Sequence, residues 1–128
     1  MATKKTKNTN IEVEETLLEI IKDPIGGGWY KYVIIYVDKN SETKMVSIPV
    51  GGWNRSVVID ALVRSKYSQD HVEAIINNHF LNISEWLDLK FKGEDVTFED
   101  VEYDEFQRWR KRCKTLADEV FSMYPEVV

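Results

Sequence analysis

The spacing of apolar residues changes at Gly51-Gly52, and this change constrains the fold more than any other feature of the sequence. Before the two glycines, apolar and polar residues alternate over several segments, as they do along β-strands. After them, apolar residues recur every three or four positions, which is the spacing of one face of an α-helix. The sequence therefore predicts an α+β fold, with a small N-terminal antiparallel sheet packed against three or more C-terminal helices.

The N-terminal half is predicted to contain a β-hairpin. A polar loop at 38–43 connects a run rich in β-branched and aromatic side chains, residues 29–37, to a second apolar run at 44–50. A turn centred on this loop pairs Val33 with Ile48. That register gives the hairpin an apolar face at Val33, and we expect the helices to cover this face.

A third strand is predicted from residues 11–22, where the pattern is ambiguous. Alternate apolar positions fit a strand, whereas a helical stripe and the capping-box spacing of Thr9 and Glu12 fit a helix. Two strands alone are only marginally stable, so a strand that completes the sheet is favoured. The glycine-rich segment 23–28 is predicted to be the turn that follows it.

Two helices are predicted directly after the double glycine. Asn54 is a suitable N-cap for the first, which we expect to end near Tyr67. Ser68 is a suitable N-cap for the second, and Asp70 in its first turn favours a helix start. The predicted buried stripe of the second helix consists of Val72, Ile75, Ile76, His79 and Phe80.

The remaining residues are predicted to form a short helix and a long one. Residues 84–87 suit a short helix within a less regular stretch, and a solvated acidic loop follows between Glu94 and Glu105. A last helix from about Asp104 is expected to end at Pro125. Its apolar stripe, which we expect to be buried, consists of Phe106, Trp109, Cys113, Leu116, Val120 and Tyr124.

Composition favours one folded domain behind a polar tail. The 128 residues are 43% hydrophobic, which suffices for a single core, whereas residues 1–10 are polar and basic and are predicted to be a disordered tail. Residues 11–128 are predicted to form the domain. We find no apolar run long enough to span a membrane and no secretory signal, and we therefore expect a cytoplasmic protein without membrane contact.

The sequence shows no catalytic, metal or cofactor motif. Cys113 is the single cysteine, and His71 and His79 are separated by roughly 12 Å along one helix, too far apart to share a metal ion. No glycine-rich segment has the pattern that binds a nucleotide phosphate. We therefore expect a protein that is not an enzyme, with no cofactor and no metal site.

A doublet of Gly-Gly-Trp segments predicts an interaction surface. In the predicted register the segments 27–29 and 51–53 meet at the open end of the hairpin, where indoles beside glycines could hold a partner's side chain. The alternative is that both tryptophans fill the end of the core. The predicted surface, for a protein partner or for self-association as a homo-oligomer, consists of Trp29, Trp53, Tyr30, Tyr32 and Tyr36.

A DNA-binding regulator is the alternative function. Residues 55–81 resemble a helix-turn-helix in spacing, and the residues that would read DNA are Ser68, Gln69, His71, Asn77 and Asn78. The second helix offers no Lys or Arg at its start, and Lys66 occupies the place where the turn usually has Gly. The formal net charge of −5 makes nucleic acid an unlikely partner, since carboxylates repel phosphates.

The C-terminal half resembles a group of small uncharacterised proteins encoded in bacterial prophages. The similarity covers about half of the chain and is carried by Tyr67-Ser68-Gln69-Asp70, Glu73-Ala74-Ile75, Phe106, Trp109-Arg110 and Cys113-Lys114. The resemblance implies a phage or mobile-element origin and brings no catalytic residues with it. We therefore expect a structural or protein-interaction module of that origin.

Overall fold

The computed structural model describes residues 14–125, which form a three-stranded antiparallel sheet followed by three helices. The predicted α+β fold is confirmed. The elements are β1 (Thr16–Gly26), β2 (Trp29–Val37), β3 (Thr43–Ile48), α1 (Arg55–Arg64), α2 (Gln69–Phe91) and α3 (Val101–Met123). The preference for a strand over residues 11–22 is confirmed from Thr16 onward, whereas 11–13 and the capping-box pair lie outside the described residues.

The turn between β1 and β2 is shorter than predicted. Asp23 and Pro24 belong to β1 and lie opposite residues of β2, so that only Gly27 and Gly28 form the turn. Their φ angles are +63° and +81°. Two-residue hairpin turns of type I′ need positive φ at both central positions, which glycine adopts without steric cost.

The register of the β2–β3 hairpin differs by one residue from the predicted one. Ile48 lies opposite Tyr32 instead of Val33. The connecting loop holds five residues, not six, and one carboxylate closes it: Asp38 Oδ1 accepts hydrogen bonds from the backbone N–H groups of Asn40 at 2.8 Å and Glu42 at 2.9 Å. Since side chains alternate between faces, a one-residue shift changes which side chains lie together.

The helices cover the tyrosine face of the sheet, so the expectation that they cover the Val33 face is wrong. The tyrosine face of β2 carries Tyr32, Ile34 and Tyr36, all at most 8% exposed, which pack against α1 and α3. The tyrosine face is the buried one because apolar residues of both edge strands, Ile20 and Val46, lie on the same face. On the opposite face of the sheet, which carries Val33, side chains such as Leu18 and Met45 are exposed.

The predicted N-caps of α1 and α2 are confirmed. Asn54 Oδ1 accepts a hydrogen bond from the Val57 N–H at 3.1 Å, and Ser68 Oγ accepts one from the His71 N–H at 3.1 Å. α1 ends at Arg64, slightly before the predicted end. The separate short helix predicted at 84–87 is wrong, because α2 continues without a break to Phe91. No glycine or proline interrupts this segment.

α3 begins three residues before the predicted start. Asp100 caps it, accepting a hydrogen bond from the Tyr103 N–H at 3.2 Å. Most of the predicted stripe is buried as expected, and Tyr124 lies half-buried just after the helix. The residues of α3 that are at most 2% exposed are Phe106, Trp109, Cys113, Leu116, Ala117 and Val120.

Glu15 connects the beginning of β1 to the helices through ion pairs and a hydrogen bond. Its carboxylate is inaccessible to solvent, and Oε2 lies 3.5 Å from Lys66 Nζ and 3.4 Å from Arg108 Nη2. Its backbone carbonyl accepts a hydrogen bond from Arg112 Nε at 2.9 Å. Burial raises the pKa of Glu15, but its own backbone N–H and the charges of Arg108 and Lys66 outweigh that effect, so the pKa lies below its ordinary value.

The identity of the covered face can be tested with two strand variants. We expect Ile34→Ala to lower the free energy of unfolding by about 2–5 kcal/mol, because Ile34 is 1% exposed and its loss leaves a cavity. Met45→Ala should change it by less than about 0.5 kcal/mol, because Met45 is 66% exposed on the opposite face. Denaturant unfolding measures both, and equal losses would contradict the register.

The role of Glu15 predicts a pH-dependent loss of stability in Glu15→Gln. At about pH 7 the free energy of unfolding should fall by about 1–3 kcal/mol, because Lys66 and Arg108 lose their carboxylate. Because the folded-state pKa of Glu15 lies below its ordinary value of 4.5, its stabilisation is present above that pH. It is lost as pH falls through the folded-state pKa. Urea unfolding should therefore show the two proteins converging in acid.

The neighbouring Glu14 provides a matched control for this experiment. Its carboxylate is 63% exposed and lies 3.9 Å from Arg112 Nη1, an ion pair worth at most about 1 kcal/mol in water. Glu14→Gln should therefore unfold like the wild type at every pH. A stability difference for Glu15→Gln that persists unchanged in acid would show that the charge of Glu15 is not responsible.

Candidate functional site: an aromatic corner

Four aromatic residues meet where the β1–β2 turn approaches the segment after β3. We call the group Trp29, Tyr30, Tyr32 and Trp53 the aromatic corner. The indole of Trp29 extends between glycines of both Gly-Gly-Trp segments: a Cβ placed on Gly27 would lie 3.4 Å from its Cδ1, and one on Gly51 would lie 3.9 Å from its Cζ3. The predicted meeting of these two segments is thus observed, although the hairpin register differs.

The inner layer of the corner is buried and firmly held. Trp53 is 2% exposed and stacks on Tyr32 with ring centroids 3.9 Å apart and an angle of 10° between the planes. Its Nε1–H donates a hydrogen bond to the carbonyl of Tyr124 at 2.8 Å, and Phe121 meets it edge-on at 5.3 Å. These contacts hold the segment after β3 against the end of α3. The stacked rings of Trp53 and Tyr32 form the buried base of the aromatic corner, which we call its floor.

The outer layer of the corner is open to solvent. Trp29 is 56% exposed and Tyr30 is 40% exposed. They border a cleft of about 270 Å³, and the residues that line it are Gly27, Gly28, Trp29, Tyr30, Gly51 and Trp53. Lys22 Nζ lies 4.3 Å from the centre of the Tyr30 ring, which places a positive charge beside one of the residues that line the cleft.

The structure gathers four of the five predicted interaction residues and separates the fifth. Tyr36 lies further along β2, where its hydroxyl and Ser65 Oγ are hydrogen-bonded at 2.9 Å and its ring lies 5.7 Å from that of Trp109. Tyr32, Tyr36 and Trp53 are buried, so the predicted exposed patch of five aromatics is wrong. The covered face is the reason, because it takes Tyr32 and Tyr36 into the core.

Lys22 and Tyr124 were not predicted as part of this site. Lys22 lies opposite Tyr32 in the β1–β2 pairing, and that pairing depends on a bulge in β1 that no local pattern reveals. Tyr124 comes from the opposite end of the chain and its ring lies 6.2 Å from that of Tyr32. A search for basic residues near the glycine turn would have identified Lys22, whereas Tyr124 required the tertiary structure.

The residues predicted to read DNA lie at the exposed start and middle of α2. Ser68 is occupied as the N-cap, and Gln69 Oε1 accepts a hydrogen bond from Arg64 Nη2 at 3.4 Å. His71 Nε2 lies 3.7 Å from Glu102 Oε2 at the start of α3. Asn77 and Asn78 are exposed. The acidic side chain of Glu102 therefore lies beside the proposed reading residues.

The most reactive side-chain types have structural roles. Asp100 accepts hydrogen bonds from Asn82 Nδ2 at 3.1 Å and from the Tyr103 N–H, and its Oδ2 lies 2.8 Å from His79 Nδ1. The hydrogen bond to His79 holds the pKa of Asp100 below its ordinary value. This cluster joins α2 to the cap of α3. Burial raises the pKa of the Cys113 thiol to about 12, which leaves it protonated and a poor nucleophile.

Residues 14–125 contain neither a metal-binding cluster nor a membrane-spanning helix. No group of three or more His, Cys, Asp and Glu side chains there has the arrangement that would hold a metal ion. None of the helices in this range combines the length and apolar character needed to cross a lipid bilayer. Of the features described, the aromatic corner is the one that combines exposed large aromatics with a cleft.

No family model, curated protein or solved structure shows significant similarity to this chain. The resemblance of the C-terminal half to prophage-encoded proteins therefore stays a prediction. What the protein does has to be inferred from the geometry of its own residues.

Proposed function

We propose that this chain is a non-enzymatic protein-interaction module, derived from a phage or other mobile element, that binds a partner protein at the aromatic corner. The observation that carries the proposal is the exposed Trp29 indole, which lines a cleft together with the buried Trp53. The sequence resemblance of the C-terminal half supports the origin, and the contacts of the corner support the binding role.

The energetics of the corner favour binding of another protein surface. An exposed indole releases water from a large apolar area when a partner covers it. The stacked pair of Tyr32 and Trp53 fixes the floor, and Trp29 lies against the glycine turn, so little side-chain freedom remains to be lost on binding. Rigid, partly exposed tryptophans of this kind are the residues that most often dominate interface energies.

The lining of the cleft indicates the chemistry of the partner. Indole and phenol rings with glycine backbone favour an aliphatic or proline side chain, which fills apolar space without needing hydrogen-bond partners. The Lys22 ammonium group, which lies over the Tyr30 ring, favours a carboxylate next to that side chain. We therefore propose that the partner presents an apolar residue followed or preceded by Asp or Glu in an extended segment.

Peptide selection tests this proposal directly. A displayed library of random short peptides, selected on the wild-type protein, should yield sequences in which an apolar residue adjoins Asp or Glu. Synthetic copies should bind Trp29→Ala at least about tenfold more weakly than the wild type, because Trp29 supplies most of the exposed apolar wall. Lys22→Ala should weaken binding less and should reduce its dependence on salt.

Met45→Ala is the matched control, since Met45 is exposed to a similar extent on the face of the sheet opposite the core. It should bind the selected peptides as the wild type does. Circular dichroism should show that all three variants are folded, because each replaces an exposed side chain. A selection that enriches no peptide, or peptides that bind Trp29→Ala with full affinity, would overturn the proposal.

The DNA-binding alternative is tested with a gel-shift assay at low and high salt. We expect no shift of a mixed-sequence duplex at either concentration, because Asp70 and Glu73 lie on the helix that would have to approach phosphates and Glu102 of α3 lies beside its start. A shift that weakens with added salt, and that is lost in Asn77→Ala, would instead support the DNA-binding function.

A further inference from the structure

α2 carries a line of apolar side chains that the rest of the described fold leaves uncovered. Ile76, Phe80 and Leu87 are 37%, 63% and 43% exposed. α3 and the loop before it pack against another side of the helix: Ile75 is buried there, and Trp86 Nε1–H donates a hydrogen bond to the carbonyl of Val96 at 3.0 Å. The predicted burial of Ile76 and Phe80 is therefore wrong.

The spacing of this line is that of a helix pair. Ile76, Phe80, Ile83 and Leu87 are separated by four, three and four residues, which is the a/d pattern of a seven-residue repeat. Ile83 is half-buried and borders the side that faces α3. We call these four residues the α2 seam. Together they cover about three turns of one helix face, enough to contact a second helix along its length.

Both ends of the α2 seam carry a charge, and the two charges are opposite. Continuing the same repeat places Glu73 before Ile76 and Lys90 after Leu87. Both residues are exposed, and among residues 14–125 neither forms an ion pair, although Lys90 Nζ lies 5.9 Å from the centre of the Trp86 ring. Glu85 points to the opposite side of the helix from the seam, by the 100° turn per residue.

The positions of these charges determine which partner and orientation fit. If a second copy of α2 runs antiparallel, centred between Leu81 and Asn82, then Phe80 meets Ile83 of the other copy and Ile76 meets Leu87. The same register brings Glu73 of each copy to Lys90 of the other, so both ends of the contact gain an ion pair. A parallel arrangement would instead place like charges together at both ends.

We propose that two copies of this chain associate through the α2 seam in antiparallel orientation, with an ion pair between Glu73 and Lys90 at each end. This interface uses a different surface from the aromatic corner and goes beyond the proposed partner binding. Four apolar residues per copy make a small interface, for which we expect a dissociation constant on the order of micromolar. Association would remove the apolar seam from water, which explains why α2 can carry it.

Sedimentation equilibrium over a wide range of protein concentration tests the interface with paired charge variants. The wild type should be a monomer when dilute and a dimer when concentrated. Glu73→Lys and Lys90→Glu should each weaken the dimer by about tenfold, because each replaces two attractive contacts by two repulsive ones. The double variant Glu73→Lys/Lys90→Glu should regain wild-type association, since it exchanges the two charges and restores both ion pairs.

The single charge reversals also distinguish the two orientations. In a parallel pair, neither single charge reversal would create a repulsion that the wild type lacks, so neither would weaken association. Phe80→Glu should abolish dimerisation, because it places a charge within the apolar seam. Glu85→Lys makes the same charge change as Glu73→Lys, but on the opposite side of α2, and should leave dimerisation unchanged. Far-UV circular dichroism should show that all variants are folded.

Three outcomes would overturn the antiparallel seam. These are a monomer at every concentration, failure of the double variant to restore association, or a dimer that survives Phe80→Glu. A dimer that survives Phe80→Glu and is lost in Trp29→Ala would place self-association at the aromatic corner instead. Peptide binding at the corner is measured independently, so failure of the seam and failure of the proposed partner site can be told apart.

Discussion

Trp109 lies where the sheet, the first helix and the last helix meet, and the rest of the core is arranged around it. Its indole is inaccessible to solvent, its ring lies 5.7 Å from that of Tyr36 on β2, and its Nε1–H donates a hydrogen bond to the carbonyl of Val63 at 3.4 Å. The Lys66 ammonium group lies 4.9 Å from the ring centre and 3.5 Å from the carboxylate of Glu15. One large side chain therefore connects three segments that are distant in sequence, and Lys66 links it to Glu15 in a fourth, so its loss would leave a cavity bordered by polar groups.

The covered face of the sheet follows from this packing and decides where a partner can bind. Because the tyrosine face of β2 turns toward Trp109, Tyr32 is drawn under Trp53 and becomes the floor of the aromatic corner. Trp29, at the start of the same strand, lies beyond the helices and stays exposed. The proposed partner site is thus the uncovered end of a sheet whose middle is buried. The α2 seam is a second exposed apolar surface, and it exists because α3 and its preceding loop cover only one side of α2.

Local sequence signals predicted the elements well and their pairing poorly. Asn54, Ser68 and the α3 stripe marked helices correctly, because N-caps and apolar periodicity act within one or two turns of chain. Of the five aromatic residues predicted to be exposed together, Trp29 and Tyr30 are exposed, whereas Tyr32, Tyr36 and Trp53 are buried. Tyr32 and Tyr36 are buried because the one-residue shift of register places the apolar Val46 and Ile48 on their face of the sheet, which the helices cover.

The sequence by itself determined the α+β class, the N-caps of α1 and α2, the approximate strands and the approach of the two Gly-Gly-Trp segments. The N-caps and strands depend on residue preferences and spacings that operate over short stretches of chain, and the approach of the two Gly-Gly-Trp segments follows from the hairpin that lies between them. The tertiary structure alone decided which face of β2 is buried, which aromatics stay exposed and which side of α2 is left uncovered. Those outcomes depend on competition for one core among surfaces far apart in sequence. Here the tyrosine face is buried because α1 and α3 surround it with apolar side chains and because Ser65 forms a hydrogen bond with the Tyr36 hydroxyl.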